Sequence, residues 1–205
     1  MIACMDACVG MLMDEMEALG LAEDTLLVYT SDHGEMLGEK GLYGKGFGYE
    51  PSIRIPFVAS CKGTIPANTQ SLAMMSQVDI ANTLCEALGV ELMDGYGKSA
   101  WNNLTGKSKV HADWIYSTLG GGQVVRTEKY KWIHLAKDGV SCDELYNLLE
   151  DPAELHNVAD MPVGRDVLFE LYPKLLDHIN AHFRRPITDF DPDAVQPDLI
   201  PFFTA

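Results

Sequence analysis

The feature that most constrains this chain is an abrupt change of texture at Thr30. Residues 25–30, TLLVYT, are β-branched and almost wholly apolar, and they run directly into residues 31–50, which carry six glycines in twenty positions. Glycine at that density excludes a helix interior and marks a long shaped loop. An apolar run without polar alternation predicts a strand buried on both faces, as in a parallel sheet covered by helices. The loop then leaves the carboxyl edge of the strand, where open α/β sheets place their chemistry.

The flanking segments support an α/β reading. Met1, Met5, Cys8, Leu12, Met16 and Leu19 recur at helical spacing, and Gly20 supplies a stop. Residues 53–59 are apolar around Pro56 and predict a short strand of edge character. Residues 76–88 predict a second helix, with Ser76 and Asp79 placed for a capping box. From about residue 109 the texture changes: 114–119, 123–127, 129–136 and 144–149 predict strands joined by short turns, hence an antiparallel sheet. Within it, Glu128 and Lys129 suit a turn, and VVRTEKYKWIH and ELYNLL are expected side by side. Residues 164–183 predict a helix interrupted at Pro173. The expected division is 1–108 for an α/β part, 109–185 for a small α+β part, and 186–205 for an acidic, proline-rich tail.

Charge narrows the partners. Fifteen Lys and Arg against thirty Asp and Glu give a formal net charge of -15. That argues against nucleic acid and anionic membranes, which are bound by neutralising phosphates with cations. A small anionic substrate stays open, because one metal or lysine can reverse the local potential. The five cysteines form no CxxC pair or dense framework, so reduced, mostly buried thiols and a cytoplasmic location are expected. No apolar stretch has the length and purity of a membrane span, and the N-terminus lacks the basic region of a signal peptide.

The loop holds the candidate chemistry. Asp32 can direct a carboxylate oxygen at a cation, and His33 can give a ligand nitrogen or a proton. Lys45 offers a positive charge for an oxyanion. The same residue types also serve as turn networks and solvated surface, so the loop by itself leaves both readings open.

The segment TSDHGEMLGEKGLYGKGFGYEPSIRIPFVAS, residues 30–60, closely resembles the sulfatase family's SDHGE, glycine-rich stretch, GK, YE and R-[IV]-P. Collinear resemblance continues in MDACVGMLMDEMEALGLAEDT, SQVDIANTLCEALGV, DGYGKSAWNNLTG, VVRTEKYKWIH and ELYNLLEDPAELHNVAD, spanning about residues 5–160. The resemblance implies an alkaline-phosphatase-like α/β fold: part of a parallel sheet flanked by helices, then a small antiparallel sheet with a packed helix. It implies that Asp32 and His33 ligate a divalent cation, calcium first, with magnesium or manganese as substitutes. Lys45 is implied to contact the oxygens of a sulfate ester, and Lys45 and His33 to serve catalysis. Glu50 and Arg54 are expected to be architectural, a carboxylate–guanidinium pair bracing the loop.

The sequence also departs from the family. None of Cys4, Cys8, Cys61, Cys85 and Cys142 lies in the C-x-P-x-R or S-x-P-x-R motif that becomes formylglycine, and the family's upstream aspartates are absent. Two ligands cannot fill the roughly six-coordinate shell of a hard cation. The chain therefore resembles the C-terminal portion of a sulfuric ester hydrolase, carrying part of the metal and sulfate site and inactive alone. Its expected partners are a small sulfate ester and either a second copy or an absent N-terminal half. Two other readings stay open: part of a phosphonate or phosphate monoester hydrolase, and a non-catalytic binding or structural piece.

Overall fold

A computed structural model describes residues 1–95, 97–119, 122–137 and 140–182, and the tail expected at 186–205 lies outside them. The chain divides into two units: residues 1–43 with 54–113, and residues 44–53 with those from 114 onward. The loop read from the sequence is thus shared between them, with Asp32 and His33 in the first unit and Lys45 in the second.

The first unit opens with helix α1, Ile2–Ala18, which has no buried residue. Strand β1, Leu27–Thr30, pairs antiparallel with β2, Phe57–Ser60, Leu27 facing Ser60 and Thr30 facing Phe57. This overturns the parallel sheet expected from TLLVYT. Apolarity predicts that a segment is extended, but pairing direction depends on the path of the chain between strands. Here residues 31–56 bring the chain back alongside β1 in the opposite sense. The strand is also less buried than a doubly covered one, with Leu27 and Val28 half-buried and Tyr29 exposed.

Helix α3, Asp79–Leu88, organises the rest of this unit through buried polar groups. The Asp79 carboxylate accepts the N–H of Ser76 at 2.8 Å and that of Lys98 at 2.8 Å, and meets His111 Nε2 at 3.0 Å. The expected capping box does not form: the helix is capped at Val78 without a side-chain cap, and the Asp79 N–H donates to the Ser76 backbone carbonyl at 3.0 Å rather than to its hydroxyl. Asn82 binds the backbone of Met93 and Gly97, while Thr83 accepts the Ala100 N–H at 2.9 Å, just before the short helix α4, Trp101–Leu104. Buried polar groups with full complements of partners fix an irregular segment without leaving desolvated atoms.

In the second unit the short helix α2, Glu50–Ile53, precedes an antiparallel meander. Its strands are β3, Trp114–Leu119; β4, Gly122–Thr127; β5, Tyr130–Lys137; and β6, Val140–Asn147, neighbours in sequence order. The expected proximity of VVRTEKYKWIH and ELYNLL is the β5–β6 pair, with Trp132 facing Leu145. Glu128 and Lys129 form the turn between β4 and β5.

Side chains alternate between the two faces of this sheet. Val125, Trp132 and Leu145 pack with Leu171 and Leu175 of helix α5, Pro162–His182. Val124, Ile133 and Tyr146 form a second cluster with Tyr49 and Ile53 on the opposite face. Both faces are covered, so β4 and β5 read as consecutive apolar pairs rather than a clean alternation. Helix α5 runs through Pro173 without the expected interruption. A proline frees the carbonyl four residues back, that of Phe169; Phe169 and Tyr172 lie on the exposed side, where water can satisfy freed backbone groups.

The thiols differ from expectation. All five cysteines are free, but Cys4, Cys8 and Cys142 are exposed and Cys61 and Cys85 half-buried, so burial does not protect them. Among the described residues no helix is long and apolar enough to cross a membrane.

Candidate functional site

Strand β1 ends at Thr30, and the next residues fold into a local network. The Ser31 hydroxyl donates to the His33 carbonyl at 2.9 Å and lies 3.3 Å from Asp32 Oδ1. Asp32 Oδ1 also accepts the His33 N–H at 3.0 Å, and Asp32 Oδ2 lies 3.2 Å from His33 Nε2. The other ring nitrogen, Nδ1, lies 2.7 Å from the Gly34 carbonyl. Gln77, two residues before α3, donates through Nε2 to the Ser31 carbonyl at 3.4 Å.

The Asp32 side chain is 78% exposed and that of His33 37%, so both can meet a ligand from solution. Desolvation acts to raise the Asp32 carboxyl, but the His33 N–H, the adjacent imidazole and the Ser31 hydroxyl outweigh it and hold the group below its ordinary range. An ionised oxygen beside an imidazole nitrogen is a donor set acceptable to several divalent cations. It is also a small one. Among the described residues no group of three or more His, Cys, Asp or Glu side chains could hold a metal ion.

Lys45 stands exposed on the loop 44–53 of the second unit, between Gly44 at φ 83° and Gly46 at φ 92°, conformations that side chains other than glycine rarely adopt. The following residues are tightly held. The N–H groups of Gly46 and Phe47 donate to Ser52 Oγ at 3.2 and 3.3 Å, and those of Ser52 and Ile53 to the Tyr49 carbonyl at 2.9 and 3.1 Å. A Cβ on Gly48 would stand 2.9 Å from Ile133 Cδ1, so the backbone lies directly on the sheet.

Two side-chain clusters attach this loop to the strands. Tyr49 and Tyr146 both donate to Glu144 Oε2, at 2.9 and 2.7 Å. Glu50 meets Arg126 Nε at 3.1 Å and Lys131 Nζ at 3.2 Å, and Glu154 pairs with Lys131. The expected brace through Glu50 therefore exists, but the guanidinium that meets it belongs to Arg126. Arg54 is exposed and lies in the first unit. Burial acts to raise the Glu50 carboxyl, yet Lys131 and Arg126 outweigh it and hold the group below the usual carboxylate range. Burial dominates at Lys131, pulling its ammonium below the usual lysine value against the opposing pull of the two glutamates.

The Arg126, Lys131 and Glu154 cluster was missed by sequence reading. Its faint signal was a lysine two residues before Ile133 in a strand, which alternation places on the covered face.

The tyrosine cluster gives a pH prediction. Burial first, then the hydrogen bond to Glu144 and its negative charge, push the Tyr49 phenol up to about 12 from 10.0. Because the folded value lies above the unfolded one, this contribution to stability is complete below pH 10 and lost as pH rises towards 12. Ultraviolet titration of wild type minus Tyr49→Phe should place this phenol near the upper value, with unit stability declining through the same window. Titration at the ordinary tyrosine value would show that the Glu144 contact does not form.

The family described as "N-sulphoglucosamine sulphohydrolase, C-terminal" matches residues 38–181. Over 170 residues the chain is 32% identical to an N-acetylglucosamine-6-O-sulfatase of Bacteroides thetaiotaomicron, covering 77% of this chain and 30% of that protein. It is 32% identical over 173 residues to arylsulfatase K of Bos taurus, covering 78% and 32%. A structure solved with its substrate D-glucosamine-2-N,6-O-disulfate superposes with a TM-score of 0.81 at 28% identity, covering 95% of this chain and 41% of the other. The phosphonate monoester hydrolase of Agrobacterium radiobacter gives 0.76 at 28%, covering 86% and 39%. The fold and these matches define an alkaline-phosphatase-like protein. The chain belongs to the sulfatase family, in its C-terminal part, and spans about a third of the length of the curated relatives it matches.

Proposed function

We propose that this chain supplies one part of the catalytic centre of a sulfuric ester hydrolase. The observation that carries the reading is the joint presentation of the Asp32 carboxylate and the His33 imidazole directly after β1, in a chain of this family. Asp32 and His33 would hold a divalent cation, calcium first, with magnesium or manganese able to replace it. Such a cation supplies electrostatic stabilisation of charge on the ester oxygens. Lys45 neutralises the anionic ester through its ammonium group. The remaining ligands and the formylglycine nucleophile belong to residues that this sequence does not contain.

The expected companions are a small sulfate ester and a complementary polypeptide segment, with self-association as the alternative. Helix α1 and its caps support a protein companion: Ile2 and Met11 in the helix and Met1 and Leu19 at its ends are all more than half exposed, apolar area that water disfavours. A second substrate reading, phosphonate or phosphate monoesters, is favoured by the likeness to the Agrobacterium hydrolase. Discrimination between these oxyanions lies in pocket walls rather than in a cation and a lysine.

Calorimetric titration tests the metal half of this reading. With two side-chain ligands, calcium should bind the chain only weakly, on the order of millimolar, because ligand number sets affinity for hard cations. Asp32→Ala should abolish that binding. Equal affinity in the wild type and in Asp32→Ala would sink the site.

A further inference from the structure

Strands β4 and β5 place Arg126 and Lys131 directly opposite each other. Two cations in facing positions repel, and their alternation with Val124 and Ile133 puts both on the covered face of the sheet. Lys131 is fully buried, where an uncompensated ammonium is severely penalised. The compensating charges come from outside the strands. Glu50 Oε1 sits between the two cations, and Glu154, 1% exposed, pairs with Lys131. Glu154 Oε2 also accepts the Glu50 backbone N–H at 2.8 Å. The side chain of Glu50 is thus held by two cations and its backbone by a second carboxylate.

Stability alone is a poor account of this cluster, because well-packed apolar residues hold a sheet face as firmly as buried ions do. Glu154 also adopts φ 57°, an unfavourable backbone for a residue with a side chain, sustained where the surroundings over-determine it. What ions provide beyond apolar packing is register: a carboxylate between two fixed cations has one position.

We propose that Glu50, Arg126, Lys131 and Glu154 are positioning residues for Lys45, locking the loop 44–53 to the sheet so that its ammonium is presented in one place. The connection is short. Residues 46–53 are closed on themselves through Ser52 Oγ and the Tyr49 carbonyl, so fixing Glu50 fixes the whole turn that follows Lys45. The proposal rests on Lys45 being the anion contact, as read above.

The test uses the full chain with inorganic sulfate as the probe. Glu154→Gln keeps the shape and removes one charge. Amide exchange at Gly46, Phe47 and Glu50 should accelerate by roughly 100-fold, while Val125 and Trp132 in the ladder stay within about threefold, as for local rather than global opening. Sulfate binding, followed on the Lys45 side-chain resonances, should weaken at least about tenfold, towards the level of Lys45→Ala. The double variant Glu154→Gln/Lys131→Met restores charge balance and keeps an acceptor for the Glu50 N–H. With Arg126 still holding the Glu50 side chain, it should recover loop exchange to within about tenfold and sulfate affinity to within about threefold of wild type, and it serves if the single variant folds poorly. Unchanged loop exchange in Glu154→Gln overturns the positioning role alone. Loss of protection across loop and sheet together in both variants overturns it too, since the cluster would then be simple scaffolding. Sulfate affinity unaffected by Lys45→Ala defeats the reading of Lys45 itself, and the positioning proposal with it.

Discussion

Trp132→Ala should lower the stability of the second unit by about 3–5 kcal/mol, the range for emptying a large aromatic site in a packed core. Trp132 is 2% exposed, in the cluster that joins Val125 and Leu145 of the sheet to Leu171 and Leu175 of α5. Its ring lies 5.9 Å from that of Tyr172 and 5.7 Å from that of His134, and its Nε1 donates to Asp143 Oδ1 at 2.7 Å. Truncation removes the packing but strands no buried acceptor, because Asp143 is partly exposed and keeps its contact with His134 Nδ1 at 2.8 Å. The loss is therefore one of packing rather than of an orphaned polar group. Urea unfolding, read through amides of β4, β5 and β6, should show the shift, with amides of α3 in the first unit as the internal reference. A change below about 1 kcal/mol, the size of an ordinary substitution, would mean that α5 does not close over this face.

The second unit was the more legible part of the sequence, and the reason is local. Hairpin strands are adjacent in the chain, so residues 114–147 carry both their strand character and their turn signals within a few residues of each other. Pairing direction in the first unit is a different kind of information. TLLVYT correctly marks a strand, but nothing within it records that residues 57–60 return antiparallel. The parallel sheet was inferred from burial that β1 does not have. In the same way Asp32 and His33 are adjacent, so their mutual geometry was nearly dictated by the backbone. The partners of Glu50 stand 76, 81 and 104 residues away, at Arg126, Lys131 and Glu154. Their meeting depends on the β4–β5 register and on a turn at Glu154, neither of which is visible from the loop. The one clue was chemical: an arginine and a lysine on the covered side of a sheet require anions, without saying which.

The other large expected effect is kinetic. The chain as given should turn over neither an activated aryl sulfate nor an aryl phosphate in calcium, magnesium or manganese. On the proposed reading Asp32 and His33 would offer a cation two side-chain ligands, and among the described residues no group of three or more His, Cys, Asp or Glu side chains could hold a metal ion. None of the five cysteines stands in the sequence context that yields formylglycine, and loss of a nucleophile that forms a covalent intermediate costs many orders of magnitude. If the proposed function holds, sulfate-ester hydrolysis should appear in a domain completed with the N-terminal part of a related sulfatase. There Asp32→Ala should remove metal-dependent turnover, while Lys45→Ala should lower kcat by about 10²–10³-fold with metal affinity unchanged, the scale for deleting one preorganised charge-stabilising donor. The two substitutions separate these proposed roles, because under that reading one group acts on the cation and the other on the ester oxygens. Steady-state kinetics at several metal concentrations would resolve them. Robust turnover by the 205-residue chain alone, abolished by Asp32→Ala, would show that this chain carries a complete centre and that the assignment of half a site is wrong.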